Sequence, residues 1–430
     1  MPAVSRPRRR IRAVAVAVCV SALSLFGVIP QSDQVAHAAP QHGGCSWTPL
    51  GNGLYPDLNA RYWRVQVPLG SGQHISVRGR YPHARYMAYA LQGPGGSGDA
   101  RHDTQIEPDA GSTNPFVVGG DRNTGSRNYA LRVVPGSPPT SGRAKNTLYS
   151  GQPQPGGTVT LIYRIYDVDE DVDQATGGVG FPTVEAVGAS GAAVTTCAAG
   201  SPTVTPGASF AAHTPLPVTG IGAIGTTPPS WQKFVDTPTV YAQILHSNLL
   251  GDEIYRRLSA ATSGGASGGL GANVDNQYIT TLLNPNYGKV VEFRATMPTY
   301  PETSQGQSPM GSGQVRYWSM CSEVLETTQA VQCVADHQVP LTAARTFTIV
   351  VSAPADRPRF ATAGCGVAWL PMSTAPGTVL LMRNLLAEPG FAHSIGNATL
   401  NDEQATMGSY YPRGQYFPNA AAFDRRGCQQ

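Results

Sequence analysis

Two stretches of the chain carry the same rhythm of apolar and polar positions. Residues 54 to 82, LYPDLNARYWRVQVPLGSGQHISVRGRYP, and residues 270 to 298, LGANVDNQYITTLLNPNYGKVVEFRATMP, each read as a strand-like run, a glycine turn, and a second run that alternates (HISVRG, VVEFRA) until a proline stops it. They align without a gap at an offset of 216, which matches Leu54 to Leu270, Tyr62 to Tyr278, Gly72 to Gly288, Arg78 to Arg294 and Pro82 to Pro298. Each copy then offers another strand opening on Arg-Tyr, ARYMAYAL at Arg85 and VRYWSMCSE at Arg316, and the second copy carries a polar loop, TYPETSQGQSPMGSGQ, in between. Further on, TVTLIYRIYD is matched with RTFTIVVSAP.

The pattern predicts a mainly β protein of two related β-sandwich (jelly-roll-like) units, residues 45–200 and 270–428. Residues 201–269 form a linker and helical segment. Its start is rich in Pro, Thr, Gly and Ser, and from Trp231 the spacing of Tyr241, Ile244, Leu245, Leu249 and Ile254 predicts a short helical connection.

Ahead of the first unit, the basic run RPRRRIR leads into the apolar AVAVAVCVSALSLFGVIP and then AHA at Ala36 to Ala38, the layout of a signal peptide covering residues 1–38. The expectation is a secreted or extracytoplasmic product with no transmembrane span after cleavage. Its cysteines fit that compartment. Cys19 leaves with the signal, and Cys45, Cys197, Cys321, Cys333, Cys365 and Cys428 remain, an even count that implies disulfides. Six cysteines allow 15 pairings. The choice made here is Cys45 with Cys197, Cys321 with Cys333 and Cys365 with Cys428, which keeps each bridge within one half.

Composition supports the β reading: charged residues are 13% of the chain, against 49 Gly and 36 Pro. A formal net charge of +3 that includes the basic leader leaves no stripe suited to phosphate backbones, so nucleic acid is not an expected partner.

The segments YPDLNARYW, RGRYPHARYM, ATGGVGFP, RYWSMC followed by CVAD, GVAWLP and LMRNLL resemble those of uncharacterised secreted actinobacterial proteins. More distantly they are similar to a bacterial two-part β-sandwich family of unknown function. The resemblance implies a fold and a compartment and carries no activity.

Candidate chemistry is sparse. Asp167, Asp169, Asp171 and Asp173 in YDVDEDVDQATGG alternate at a strand end and could converge on calcium, without the glycine and glutamate of an EF-hand. His83, Arg85 and Tyr86 around the PHARY bend, and Tyr317 and Trp318 in the second copy, are ligand-binding candidates, since guanidinium and aromatic faces suit sugars, carboxylates or aromatic polymers. Arg78/Arg294 and Tyr62/Tyr278 recur in both copies and read as structural. Ser267 lies in a formal G-x-S-x-G without the flanking strand and helix of a nucleophile elbow. His337 follows Asp336, and neighbours on a strand point to opposite faces, so they are not expected to cooperate. The functional expectation is a ligand-binding or structural envelope protein whose partner is an envelope glycan, polysaccharide or lipid. The alternative is an extracellular hydrolase or lyase working on a polymer in a groove between the two units.

Overall fold

The computed structural model of the chain describes residues 45–93, 96–151, 157–200, 225–234, 273–325, 327–373 and 377–428. The leader with Cys19, Ser267, and the helical stretch with Tyr241, Ile244, Leu245, Leu249 and Ile254 lie outside them. The helix expected from Trp231 does not begin there: Trp231 is buried and Gln232–Lys233 form a strand.

The first half folds as β1 (Thr48–Pro49), β2 (Ala60–Pro68), β3 (His74–Arg80), β4 (Ala84–Gly93), β5 (Gly96–His102), β6 (Asn128–Val134), β7 (Thr147–Tyr149), β8 (Thr158–Val168), β9 (Thr183–Val187) and β10 (Ala193–Thr196). The second half supplies β11 (Gln232–Lys233), β12 (Asn276–Leu283), β13 (Val290–Thr296), β14 (Tyr317–Val324), β15 (Ala330–Ala335), β16 (Thr346–Ser352), β17 (Ala368–Pro371), β18 (Thr378–Leu385) and β19 (Arg413–Phe417). Among the described residues the α-helices are Glu403–Met407 and Ala420–Asp424.

The halves repeat one topology. The first has sheets ordered β1-β2-β8-β4-β5 and β10-β9-β3-β6-β7, the second β11-β12-β18-β14-β15 and β17-β16-β13-β19. Strands β3 and β13 coincide end to end under the 216-residue offset, and both β6–β7 and β16–β17 are parallel pairs. This order corrects one sequence match: the counterpart of TVTLIYRIYD (β8) is β18, while RTFTIVVSAP holds β16, the counterpart of β6.

Alternation builds each core. Trp63, Val65 and Val67 of β2, Met87, Tyr89 and Leu91 of β4, and Leu161, Tyr163 and Ile165 of β8 face Ile75 and Val77 of β3 and Leu131 and Val133 of β6. The second core repeats this with Ile279, Trp318, Met320, Leu380 and Met382 against Phe293, Phe347 and Ile349. The opposite faces of the β4 and β14 sheets are also covered. Ala60, Tyr86, Ala88 and Tyr166 of the first half pack with Tyr317, Ala335 and Leu385 of the second. Burial on both faces explains why β14 and β18 carry almost no exposed position.

Each half also reaches into the other. Met310, on the polar loop unique to the second copy, is 1% exposed and belongs to the first core, and its N–H and C=O bond Gly120 O and Gly119 N. In return, Asn52 makes two bonds to Ala330, and the Tyr55 N–H donates to Thr328 O. The disulfides are Cys45–Cys197, Cys321–Cys333 and Cys365–Cys428, the pairs chosen from the sequence.

Candidate functional site

A dense group of titratable side chains lies where the sandwiches meet. Arg85, near the start of β4, is fully buried. Its Nη1 reaches Asp336 Oδ1 at 2.5 Å, its Nη2 lies 2.6 Å from Asp167 Oδ2, and its Nε donates to Thr303 Oγ1 at 2.8 Å. Asp336 belongs to a one-turn 3-10 helix, Asp336–Gln338, that follows β15. Its other oxygen accepts the Trp318 N–H. Asp167, the penultimate residue of β8, has φ of +52°, a left-handed conformation that an L residue holds at a cost of about 1 kcal/mol. The half-buried His337 places Nδ1 3.5 Å from Asp167 Oδ1 and 3.6 Å from Asp336 Oδ1.

Electrostatics separates the two carboxyls. Burial raises the Asp167 pKa against the pull of Arg85. Asp336 bears its own burial penalty, yet Arg85 and the bonds from His337 and Trp318 hold it below the usual carboxylate range. For His337, desolvation is outweighed by Asp336 and Asp167, and its pKa rises. With His337 protonated the four groups sum to zero charge.

A related cluster adjoins it, for Arg316 Nη1 also lies 3.4 Å from Arg85 O. Arg316, preceding β14 as Arg85 opens β4, lies 3.4 Å from Asp103 Oδ1. Asp103 begins the 3-10 turn after β5, and its Oδ2 accepts the Met87 N–H as Asp336 accepts that of Trp318. In both turns a glutamine, Gln105 or Gln338, accepts the backbone N–H that precedes the turn. Each arginine thus pairs with the other half's aspartate. The tyrosines do likewise: Tyr86 donates to Asp275 at 2.7 Å, and Tyr317 donates to Asp57 at 2.9 Å. In this second cluster Leu386, φ +45°, stands in place of Asp167, and Thr104 in place of His337.

A different feature opens on the surface. The 299–314 loop and the chain after β18 border an open groove of about 710 Å³, lined by Val118, Ser312, Gln314, Glu388, Phe391 and His393 among others. The Gln314 amide donates to Tyr410 Oη at 3.0 Å, and its carbonyl accepts the Thr299 N–H. Tyr410 meets Phe391 edge-on at 4.9 Å and stacks on His393 at 5.8 Å. Gly313 permits the loop's close fold, since a Cβ there would sit 2.5 Å from Tyr300 Cα.

No family model matches the chain, and no curated protein does. Solved structures similar to it include an uncharacterised protein of Burkholderia cenocepacia, at 12% identity and a TM-score of 0.42, covering 86% of this chain and 78% of that one. Another is a protein of Vibrio parahaemolyticus, at 10% identity and a TM-score of 0.39, covering 86% and 92%.

Of the ligand-binding candidates named from sequence, Arg85, Tyr86 and Tyr317 are buried against the opposite half, and Trp318, 1% exposed, is buried in the second core. His83 is half-buried, its pKa pushed down to about 4 by desolvation and by Arg127 and Arg122.

The aspartates of the acidic run do not gather around one point. Asp167 turns to Arg85, Asp169 to Arg122 at 2.6 Å, Asp173 caps its own turn through Thr176, and Asp171 is exposed. Among the described residues, Asp167 instead joins Asp336 and His337 in a three-ligand constellation that the Arg85 cation already fills.

The expectation that Asp336 and His337 cannot cooperate is overturned, because they occupy a 3-10 turn and not a strand. Arg78 is exposed, and the arginine that approaches Asp57 is Arg383, buried and 4.0 Å away. Arg383, Arg122 and Met310 carried no sequence signal beyond their place in apolar or polar runs.

Proposed function

We propose that this chain is an extracytoplasmic ligand-binding protein without catalytic activity, in which two fused sandwiches form a rigid base and the loops around the second carry the binding surface. The observation that supports this reading is the seam itself. Acid–base chemistry between the units needs titratable groups open to a substrate. Here Arg85, Asp167 and Asp336 are at most 5% exposed, and Arg85 with a protonated His337 balances the two carboxylates. The leader-like N-terminus and the three disulfides support export. Among the described residues no helix is long and apolar enough to cross a membrane.

The test is a thermal-shift panel of the oxidised protein with envelope glycans, other polysaccharides, lipids and metal ions, followed by a turnover assay on each ligand that raises the melting temperature. Stabilisation without turnover is the expected result. Turnover would overturn the non-catalytic reading.

A second reading, a hydrolase or lyase at the seam, draws on the half-buried His337 beside two carboxylates. It requires turnover that is lost in His337→Gln, with folding intact.

A further inference from the structure

We infer that the groove bounded by the 299–314 loop and the chain following β18 is a binding site for a neutral, polyhydroxylated ligand, a segment of a glycan. The inference rests on the binding-protein reading above and names its site and ligand class.

Three observations carry it. The first is the chemistry of the lining. Val118, 59% exposed, and the exposed Ala392 offer apolar surface, Phe391 beneath them is only 5% exposed, and Ser312, Gln314, Glu388 and His393 supply polar groups. The His393 ring is oriented: Nδ1 lies 2.7 Å from Thr406 O, and a carbonyl only accepts, so Nδ1 carries the proton and Nε2 of the neutral ring is an acceptor. With the Glu388 carboxylate, the rim is thereby rich in acceptors for O–H groups. The apolar surface of Val118 and Ala392 beside such acceptors matches a sugar ring, which has a C–H face and a hydroxyl edge.

The second is charge. Among the lining residues described there is no Lys or Arg, and the one carboxylate would repel an anionic ligand. A phosphate- or carboxylate-bearing polymer is therefore a poor fit.

The third is preorganisation. Val117 and Val118, 48% and 59% exposed, lie on a segment held by the Gly120 N–H to Val117 O bond and by the paired bonds of Gly119 and Gly120 to Met310, whose side chain is anchored in the first core. Gln314 fixes Thr299 and Tyr410 on the facing wall. A surface already held in place loses little entropy when a ligand arrives. The 299–314 loop has no counterpart in the first copy, so the duplicated framework does not require it.

The experiment is isothermal titration of the oxidised full-length protein with gluco-, manno- and xylo-oligosaccharides, with polygalacturonate and chitosan oligomers as charged controls, at 0.1 and 0.5 M NaCl. The variants are His393→Ala, Glu388→Gln and Val118→Asp, all at exposed positions. The expected result is binding of a neutral oligosaccharide that is insensitive to salt and weakened at least tenfold by His393→Ala and Val118→Asp, with melting temperatures unchanged. If the wild type binds a neutral oligosaccharide and the variants keep full affinity, the groove is not its site and the inference falls while the binding reading stands. If only a charged polymer binds, the ligand class is wrong. If no ligand of any class binds or stabilises the protein, both readings fall.

Discussion

Replacing Arg85 by Met tests whether the seam is held by buried charge pairing or by its apolar contacts alone. The guanidinium makes contacts of 2.5 Å to Asp336, 2.6 Å to Asp167 and 2.8 Å to Thr303, and none of the four residues is more than 5% exposed. Methionine restores most of the volume and none of the charge, leaving two buried carboxylates with His337 as their remaining counter-charge. Removing one partner of a buried pair costs about 3–5 kcal/mol, most of it the penalty on the charges left behind. Arg316 is the internal control. It has the related place in the second copy, but its Asp103 contact is 3.4 Å and its side chain is 12% exposed, so Arg316→Met should cost nearer 1 kcal/mol. The assay is urea denaturation at pH 7 followed by tryptophan fluorescence, which reports global unfolding through the buried Trp47, Trp63, Trp231 and Trp318. Arg85→Met/Asp336→Asn should recover part of the loss, and Arg85→Lys should recover little, since an ammonium cannot span both carboxylates in the planar fork. A loss in Arg85→Met no larger than in Arg316→Met would refute the reasoning.

The pH dependence of stability has a sign set by His337. Its folded pKa is raised, so its contribution is complete below the unfolded value near 6.5 and disappears as pH rises through the folded value; His337→Gln should lack that alkaline loss in denaturation midpoints measured from pH 5 to 9. Met310→Ala should cost about 2–5 kcal/mol by leaving a cavity in the first core, although the residue belongs to the second half, and should speed proteolysis within the 299–314 loop; no effect on either would mean the loop is not anchored there. Of the disulfides, Cys45–Cys197 spans 152 positions and Cys321–Cys333 spans 12, so loop-closure entropy assigns them about 5 and about 3 kcal/mol; paired Cys→Ser variants should rank in that order by urea midpoint.

Local periodicity made the first two strands of each half legible. Alternation is a property of a few neighbouring residues, so β3 and β13 could be matched before any tertiary contact was known. The third match failed because it depended on strand order. In each sandwich the late strand, β8 or β18, inserts between the early pair, β2 and β4 or β12 and β14, and two apolar runs late in the second half were equally strand-like. The Arg-Tyr openings were also visible, but their surroundings were not. A side chain that points away from its own core is normally in water, whereas here a second sheet covers that face, so Arg85, Tyr86 and Tyr317 became interface residues. One signal was present and unread: the shared Asp-x-Gln at Asp103–Gln105 and Asp336–Gln338, whose side chains close equivalent turns.

The duplicated framework also gives a way to separate support from function inside one chain. Whatever both halves share, the arginine, the turn aspartate and the interface tyrosine, is accounted for by the need to join two sandwiches, and it joins them reciprocally. What only one half has is not explained by that need. Leu386 in place of Asp167 leaves Arg316 beside the Asp103 carboxylate, which His102 approaches at 3.8 Å, whereas Arg85 meets two carboxylates, with the half-buried His337 beside them and Thr303 over the guanidinium. The loop that supplies Thr303 also supplies Met310 to the first core and Ser312 and Gln314 to the open groove. A single asymmetric insertion thus covers the Arg85 guanidinium with one part of its length and builds the exposed surface with another. That arrangement ties the order of the groove wall to the integrity of the seam, so Arg85→Met should also speed proteolysis within the 299–314 loop, and an unchanged cleavage rate would show that the loop is held without it.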